Sequence, residues 1–549
     1  MIALALALAT AALAAPPDYV AYPEQPVVTT HALSRDGKTL RYEATAGTLA
    51  MVNEKRETTA RMFYVSYRAL ASVPDDAARP ADEAKAADGA APTGAAPAGT
   101  SGASSVAPNV APGAPPAAAG PVPGEAAGAS RSGKYLDAST RPITFVFNGG
   151  PGSSSVWLQL GAFGPRRVDF GDAMGNPGPP PYRLVDNEST LLDATDLVFI
   201  DPIATGYSRA EGGNDARAFF GVENDLDSVA EFIRRFLTRE ERWTSPKYIA
   251  GESYGTTRAA GLSERLWQQH GIALNGIILV SAILDFSTMA SGPGADLGFV
   301  LMLPSFAATA HFHGRVAPAD RGRPLADFVA DAEQFALRTY APALLLADRM
   351  DDATRREVVA GLVRFTGLPA PFIEASDLRV DLGAFSKELL RDQRRTIGRL
   401  DGRFTGEDRL ATGVSTEYDP SYAAIRGNFT ACMNEYVRRE LGYSSDLPYE
   451  VLTGVGPWDF GAENRYLNVA ERLRRAMVQE PFLKVFVAMG RTDFATPYFA
   501  VEHTLAHMGL DPVLRGNITT ERFNAGHMMY IDAAERTKLR AALGRFYGP

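Results

Sequence analysis

The chain has 549 residues, of which 46% are hydrophobic, and a net charge of −9 at neutral pH. A chain of this length can bury a large core without cross-links, and its single cysteine, Cys432, excludes an intrachain disulfide. The acidic balance favours solubility and gives no reason to expect a nucleic acid as a partner. We expect Cys432 to be a small buried hydrophobic residue.

The N-terminal segment predicts export. Residues 1–15 carry no charged side chain, and residues 12–14 have the small-x-small pattern of a signal-peptidase site. We therefore expect a signal peptide at 1–15 and a periplasmic or secreted protein. The segment is too short to span a bilayer as a helix, and no other run is long enough, which predicts no transmembrane segment in the mature chain. The alternative is the apolar N-terminus of a cytosolic protein.

The next region predicts strands followed by an insertion. Residues 16–73 include the alternating run Phe63–Tyr67, which is typical of a strand. Residues 74–134 are rich in Ala, Pro and Gly and contain no aromatic residue, so they cannot bury enough apolar surface to order themselves. We expect a disordered surface insertion there, with a tether or a processing site as the alternative.

Residues 135–284 alternate short apolar runs with helical patterns. This alternation predicts a mostly parallel sheet with helices on both faces, whose active site lies beyond the carboxyl ends of the strands. The predicted strands are 143–147, 197–200, 248–250 and 276–280, and one helix face carries Val222, Leu226, Val229, Phe232, Ile233, Phe236 and Leu237.

A glycine-rich turn follows the first of these strands. Residues 148–155 read Asn-Gly-Gly-Pro-Gly-Ser-Ser-Ser, where an α/β-hydrolase builds half of its oxyanion hole. A phosphate-binding loop is the rival interpretation. It is disfavoured because no Lys-Ser/Thr pair follows and because Pro151 lacks an amide hydrogen.

The pentapeptide at 251–255, Gly-Glu-Ser-Tyr-Gly, predicts a nucleophile elbow. It lies between the apolar run 247–250 and a helical segment at 256–267, as the strand-turn-helix context of such an elbow requires. Ser253 would be the nucleophile, and the amide of Tyr254 would be the second oxyanion donor.

Helical patterns dominate residues 285–480, as at 324–340 and 353–362. They predict a mainly helical cap domain inserted in the sheet. Aromatic residues of the cap are either pocket residues or simple core: Tyr418, Tyr422, Phe429 and Trp458.

The C-terminal part of the core, residues 481–549, supplies an acid and a base. Asp493 follows the apolar run 482–489, and His527 follows the run 518–523. Taken singly, Asp493 could be a turn or cap residue and His527 a structural one. The chain order Ser, Asp, His is that of α/β-hydrolases, in which the histidine activates the serine and the aspartate orients the histidine.

Other histidines do not predict a metal. His503 and His507 are four residues apart, and His311 and His313 flank a phenylalanine, but neither pair has the glutamate of a zinc-protease helix. We predict no catalytic metal and no cofactor.

These motifs together resemble the serine carboxypeptidase family, peptidase family S10. The likeness covers the turn at 148–155, the elbow at 251–255, Gly490-x-x-Asp493 and the segment 525–528, Ala-Gly-His-Met. The segments 196–202 and 205–208 are also similar to the family. The resemblance implies a triad of Ser253, Asp493 and His527, an oxyanion hole at Gly150 and Tyr254, and a carboxylate site at Asn148, Gly149 and Glu252. Since eukaryotic members usually carry disulfides, a chain with one cysteine resembles a bacterial-type member.

Two positions depart from the family pattern. Val146 stands where the family usually has Trp, and Ala162 stands where it has a second Glu. That Glu pairs with the one beside the serine and accepts the peptide's carboxylate, so Ala162 puts C-terminal specificity in doubt. Arg166 or Arg167 could bind an anionic group of the substrate instead, or both could be surface charges.

The sequence therefore predicts a serine-type carboxypeptidase of the α/β-hydrolase fold that acts through an acyl-enzyme. An esterase or acyltransferase on the same triad is the alternative, and a non-catalytic binding protein is a remote one. The expected partner is a peptide or acyl substrate. Side-chain preference, pH optimum and oligomeric state do not follow from the sequence.

Overall fold

A computed structural model describes residues 21–35, 37–71, 135–171, 174–176, 178–292 and 294–548. The expected signal peptide at 1–15 and the expected insertion at 74–134 lie outside the described residues. The described residues between 21 and 70 and those between 136 and 548 belong to one compact unit.

The described strands and helices alternate through the core, and helices with two short strands lie between β10 and β13. The strands are β1 (Val27–Arg35), β2 (Lys38–Val52), β3 (Thr58–Ala69), β4 (Ile143–Phe147), β5 (Arg166–Val168), β6 (Leu184–Asp186), β7 (Asp196–Ile200), β8 (Arg209–Ala210), β9 (Lys247–Ser253), β10 (Gly276–Ala282), β11 (Thr396–Ile397), β12 (Thr405–Gly406), β13 (Lys484–Gly490) and β14 (Ile518–Phe523). The α-helices are α1 (Val156–Leu158), α2 (Val222–Arg239), α3 (Tyr254–His270), α4 (Leu297–Phe312), α5 (Pro318–Arg321), α6 (Leu325–Phe335), α7 (Ala341–Leu346), α8 (Asp352–Thr366), α9 (Ala370–Ala375), α10 (Leu382–Glu388), α11 (Pro420–Glu435), α12 (Ala470–Gln479), α13 (Tyr498–Ala506), α14 (Pro512–Arg515) and α15 (Ala533–Tyr547).

The main sheet has the order β1-β2-β3-β7-β4-β9-β10-β13-β14, with β8 paired to β3. Neighbours from β7 to β14 run parallel, whereas β1, β2, β3 and β7 pair antiparallel. Strands β4, β7 and β10 are buried at every residue, which is why they form continuous apolar runs in the sequence. The predicted α/β-hydrolase fold is confirmed.

Both faces of the sheet are covered. Along β4, Phe145 and Phe147 belong to one hydrophobic cluster, and Val146 belongs to the other, because successive side chains point to opposite faces. The predicted apolar face of α2 packs on the first cluster, and every residue assigned to it is buried. Helix α15 packs on the second cluster through Leu539 and Leu543.

Several predicted boundaries differ from the structure. Strand β13 begins at Lys484 rather than at residue 482, because Phe482 is 91% exposed. The helix expected at 324–340 is α6 followed by the π-helical turn Ala336–Tyr340. Residues 285–480 contain helices and two short strands that belong to the same compact unit as the sheet, so a separate cap domain remains a prediction.

Two further predictions concern the burial of Cys432 and the length of the apolar helices. Cys432 is buried, as expected, and lies in the second hydrophobic cluster. Within the described ranges, no helix combines the length and the apolar character needed to cross a membrane.

Candidate active site

The elbow at Ser253 has the predicted strand-turn-helix form. Strand β9 ends at Ser253, and α3 begins at the next residue. Ser253 has φ 61° and ψ −130°, a strained conformation for a residue with a side chain. A Cβ atom at Gly251 would lie 2.1 Å from the carbonyl oxygen of Gly255, so the turn closes only with glycine at that position.

The glycine-rich turn packs directly against the start of α3. A Cβ atom at Gly149 would lie 2.4 Å from the amide nitrogen of Tyr254, and Gly150 has φ 100°. The amide of Tyr254 is at the first position of a helix, where amides have no intrahelical acceptor. The turn and the helix start are therefore in direct backbone contact, and the oxyanion hole at Gly150 and Tyr254 remains a prediction.

Asp493 and His527 are hydrogen-bonded to each other beyond the ends of β13 and β14. The Nδ1 atom of His527 donates to Oδ2 of Asp493 at 2.7 Å, and Asp493 is fully buried. The Thr496 hydroxyl donates to the same oxygen at 2.7 Å, and the amides of Ala495 and Thr496 donate to Oδ1. Because Nδ1 is committed to Asp493, Nε2 of His527 is available as a base.

The pKa of His527 lies above its ordinary value. Burial lowers this pKa, but the Asp493 carboxylate, through its charge and its hydrogen bond, and the charge of Glu252 outweigh burial. The ion pairs therefore favour the protonated imidazole, which is the state that the histidine reaches when it takes a proton from a serine.

Ser253 and His527 line a common cavity of about 330 Å³. Asn148, Gly149 and Glu252 line it too, as does Gly150. Asp493 lies behind the histidine, outside the lining. The structure thus brings the predicted nucleophile, base, oxyanion turn and carboxylate-binding residues to one place.

Glu252 is buried and has two side-chain donors. The amide of Asn148 donates to its Oε2 at 2.9 Å, and the Tyr530 hydroxyl donates to the same oxygen at 2.6 Å. Burial raises the pKa of Glu252 to about 7, although the His527 charge and the two hydrogen bonds oppose this effect. Glu252 therefore changes its charge near neutral pH.

Tyr530 was not anticipated from the sequence. It follows His527 by three residues, and nothing in the pattern distinguishes it from the apolar residues around it. A Cβ atom at Gly161 would lie 2.5 Å from the Tyr530 ring, so this ring packs against the π-helical turn that contains Ala162. At the position where the family resemblance implied a second Glu the chain has Ala162, and the carboxyl of Glu252 accepts a hydrogen bond from the Tyr530 phenol.

The arginines proposed as anion binders are occupied elsewhere. Arg166 donates to Asp186 and, at 3.0 Å, to Glu440, and Arg167 donates to Glu188 at 2.9 Å. Neither arginine lines the cavity. These contacts do not support the hypothesis that Arg166 or Arg167 binds the substrate.

A different arginine, Arg399, lines the cavity. It lies in an irregular loop between β11 and β12, where no sequence motif marks it. Of the four aromatic residues predicted as pocket or core residues, Tyr422 lines the cavity. Phe429 belongs to the core, and Trp458 packs edge-on against Tyr254 with ring centroids 5.4 Å apart. Tyr418 is partly exposed outside the cavity.

Metal binding has no support among the described residues. His503 and His507 stack on each other with ring centroids 4.0 Å apart. In the ranges that the structure covers, no three His, Cys, Asp or Glu side chains are grouped so that they could hold a metal ion.

Known proteins resemble the chain most in its central part. The family model for serine carboxypeptidase matches residues 130–292, which contain the glycine-rich turn and the elbow. Serine carboxypeptidase-like 34 of Arabidopsis thaliana is 28% identical over 166 residues, which are 28% of this chain and 31% of the relative. Pheromone-processing carboxypeptidase KEX1 of Yarrowia lipolytica is 30% identical over 148 residues, 26% of this chain and 22% of the relative. Retinoid-inducible serine carboxypeptidase of Homo sapiens is 33% identical over 132 residues, 24% of this chain and 26% of the relative.

These alignments span less than a third of the relatives' own length. Among solved structures, the prohormone-processing carboxypeptidase Kex1(delta)p of Saccharomyces cerevisiae aligns over 92% of this chain and 91% of its own, with 14% identity and a TM-score of 0.48. The family model and the curated relatives agree on what the chain is similar to: residues 130–292 match the serine carboxypeptidase family, peptidase family S10.

Proposed function

We propose that the protein is a serine-type carboxypeptidase that hydrolyses peptides at a free C-terminus. The observation that carries this proposal is the shared cavity, in which Asn148 and the buried Glu252 lie beside Ser253 and His527. A site that held only a nucleophile and a base would suit any acyl transfer. The adjacent amide and carboxyl groups add a place for a terminal carboxylate.

The proposed reaction begins with attack by Ser253. Its hydroxyl oxygen adds to the peptide carbonyl while His527 accepts the proton, and Asp493 stabilises the resulting imidazolium. The amides of Gly150 and Tyr254 bind the oxyanion of the tetrahedral intermediate. His527 then protonates the leaving amine, and the C-terminal residue departs. Water, activated by the same histidine, hydrolyses the acyl-enzyme at Ser253.

The proposed carboxylate site consists of Asn148, the amide of Gly149 and Glu252. When Glu252 is protonated, its hydroxyl can donate to the substrate's carboxylate, because two oxygens can then share one proton. When Glu252 is ionised, the two carboxylates repel each other. With a pKa of about 7 for Glu252, this part of the site binds free C-termini better in acid than in base.

We also propose that the protein is exported and acts in the periplasm or outside the cell. Residues 1–15 support this proposal through their signal-like composition. The expected absence of a nucleic-acid partner remains a prediction from the net charge of −9.

Two assays test the proposed function. A fluorophosphonate probe should label the protein at Ser253 and should not label the Ser253→Ala variant. Timed mass spectrometry of an unstructured peptide should then yield a ladder that shortens from the free C-terminus, while the amidated twin stays intact or shortens far more slowly. Labelling without peptide cleavage, together with turnover of a simple ester, would instead favour an esterase or acyltransferase.

A further inference from the structure

Arg399 is a cation without a partner at the wall of the active-site cavity. Its side chain lines the same cavity as Ser253 and His527 and is exposed. Among the described residues, its guanidinium makes no hydrogen bond and no ion pair. It is also the one lysine or arginine in the cavity lining within the described part of the chain. Arg166 and Arg167, which lie outside the cavity, are each paired with a carboxylate.

The backbone around Arg399 is fixed to the catalytic loops. The amide of Phe494 donates to the carbonyl oxygen of Arg399 at 3.1 Å, and the amide of His527 donates to that of Leu400 at 2.7 Å. On the other side, the amide of Arg399 donates to Asp419 Oδ1 at 3.0 Å. The loop that carries the free cation is therefore held beside both Asp493 and His527.

Asp419 lines the same cavity but forms no ion pair with this cation. Asp419 is the N-cap of α11, and its oxygens accept hydrogen bonds from the amides of Ser421, Arg399 and Leu400. Its negative charge is thus directed at backbone donors and the helix start. The guanidinium of Arg399 keeps all of its donors for a ligand in the cavity.

The other groups of the proposed carboxylate site do not balance the negative charge of a bound carboxylate. The amide of Asn148 already donates to Glu252, and an ionised Glu252 repels a second carboxylate in the same cavity. A guanidinium binds a carboxylate in two parallel hydrogen bonds without requiring acid.

We propose that Arg399 binds the α-carboxylate of the substrate's C-terminal residue and thereby determines the preference for a free C-terminus. This inference rests on the proposed function and names the residue that gives it its specificity. Arg399 is near enough to affect the electrostatics of the base: burial is the largest influence on the pKa of His527, and Arg399 acts on that pKa in the same downward direction. A bound carboxylate would neutralise the guanidinium and relieve that effect.

Binding to a catalytically silent protein tests the proposal directly. In the full chain carrying Ser253→Ala, the dissociation constants of a hexapeptide and of its C-terminal amide are measured by calorimetry at pH 8, where Glu252 is ionised. Arg399→Gln should weaken binding of the free peptide about tenfold and leave the amide unchanged, and Arg399→Lys should be intermediate. Arg409→Gln is the matched control, because Arg409 is an exposed arginine outside the cavity.

The outcomes separate the proposal from the proposed function. An equal loss for peptide and amide, or no loss for either, overturns the role of Arg399. A third ligand, a hexapeptide amide that ends in Glu, is measured in the same way. If Arg399→Gln weakens binding of this ligand alone, Arg399 binds a side-chain carboxylate, and the proposal is overturned as well. In the enzyme with Ser253 intact, KM for the free peptide should rise about tenfold with kcat retained. Absence of any C-terminal trimming by the unaltered enzyme would be a failure of the proposed function itself.

Discussion

Replacing Tyr530 with Phe removes one hydrogen bond from the buried carboxyl group of Glu252 and leaves the shape of the side chain almost unchanged. The Tyr530 hydroxyl is 2.6 Å from Oε2 of Glu252, and both side chains are buried. A hydrogen bond to a charged group contributes about 1.5–3 kcal/mol, and one pKa unit corresponds to about 1.4 kcal/mol. Tyr530→Phe should therefore raise the pKa of Glu252, already about 7, by a further one to two units.

The direction of the stability effect follows from proton binding. Burial raises the pKa of Glu252 from an ordinary value of 4.5 to about 7, so the folded protein holds this proton to higher pH than the unfolded chain does. The stability that the bound proton contributes is complete below pH 4.5 and is lost as the pH rises through 7, by about 3 kcal/mol in all. Tyr530→Phe should enlarge this loss of folding stability at high pH and should have little effect on stability at pH 5.

Denaturant unfolding of the unaltered protein and of Tyr530→Phe at pH 5 and at pH 9 measures this difference. We expect the substitution to lower the free energy of unfolding by about 1.5–3 kcal/mol more at pH 9 than at pH 5. Tyr443→Phe is the matched control, because Tyr443 is a buried tyrosine whose hydroxyl has no hydrogen-bond partner in the described residues. The same destabilisation at both pH values would refute the reasoning, since the hydroxyl would then not distinguish the charged carboxylate from the neutral one.

Three further changes test the rest of the site. Glu252→Gln removes a charge that raises the pKa of His527, so the acidic limb of kcat/KM for an ester substrate should move to lower pH. Asp493→Asn should leave the fold intact and lower kcat about 10⁴-fold, because an amide favours the wrong imidazole tautomer; a fall of less than tenfold would contradict its role. Gly149→Ala would place a Cβ atom 2.4 Å from the amide nitrogen of Tyr254. It should lower kcat by about 10²-fold or more, which is the effect of losing one oxyanion donor. Gly454→Ala is the control and should leave kcat unchanged, because its Cβ atom would meet nothing within 4 Å.

The parts of the fold that the sequence predicted are those with strong local signals. Strand β4 is buried at every residue and coincides with the predicted run 143–147, and Ser253 is at the predicted turn because only glycines allow the backbone to close there. Tyr530 and Arg399 had no such signal. Each reaches the cavity region only through the fold: Tyr530 donates to Glu252, and Arg399 lines the cavity from a loop more than 100 residues after Ser253. Side chains of this kind become identifiable only when the chain is folded.

The loop that carries Arg399 also contains a buried ionic network that contacts the loop of His527. Asp401 accepts hydrogen bonds from Arg403 at 2.8 Å, from the Thr492 hydroxyl at 2.8 Å and from the Gly526 amide at 3.0 Å. Arg403 in turn donates to Asp532 at 2.9 Å. Asp401 is 5% exposed, so its charge is not screened by solvent. One carboxylate thus joins the loop after β13 to the loop that contains His527.

Asp401→Asn should therefore act on the chemical step and not on the choice of substrate. Weakening the contact to Gly526 lets the imidazole of His527 shift relative to Ser253, and a displacement of this kind lowers kcat for every substrate. We expect kcat, normalised to the fraction of sites that a fluorophosphonate titrates, to fall by about tenfold or more with KM unchanged. The ratio of free to amidated peptide binding should stay the same, in contrast to Arg399→Gln. If normalised kcat is retained, Asp401 stabilises the fold without positioning His527, and if the ratio falls, the loop carries both functions as one unit.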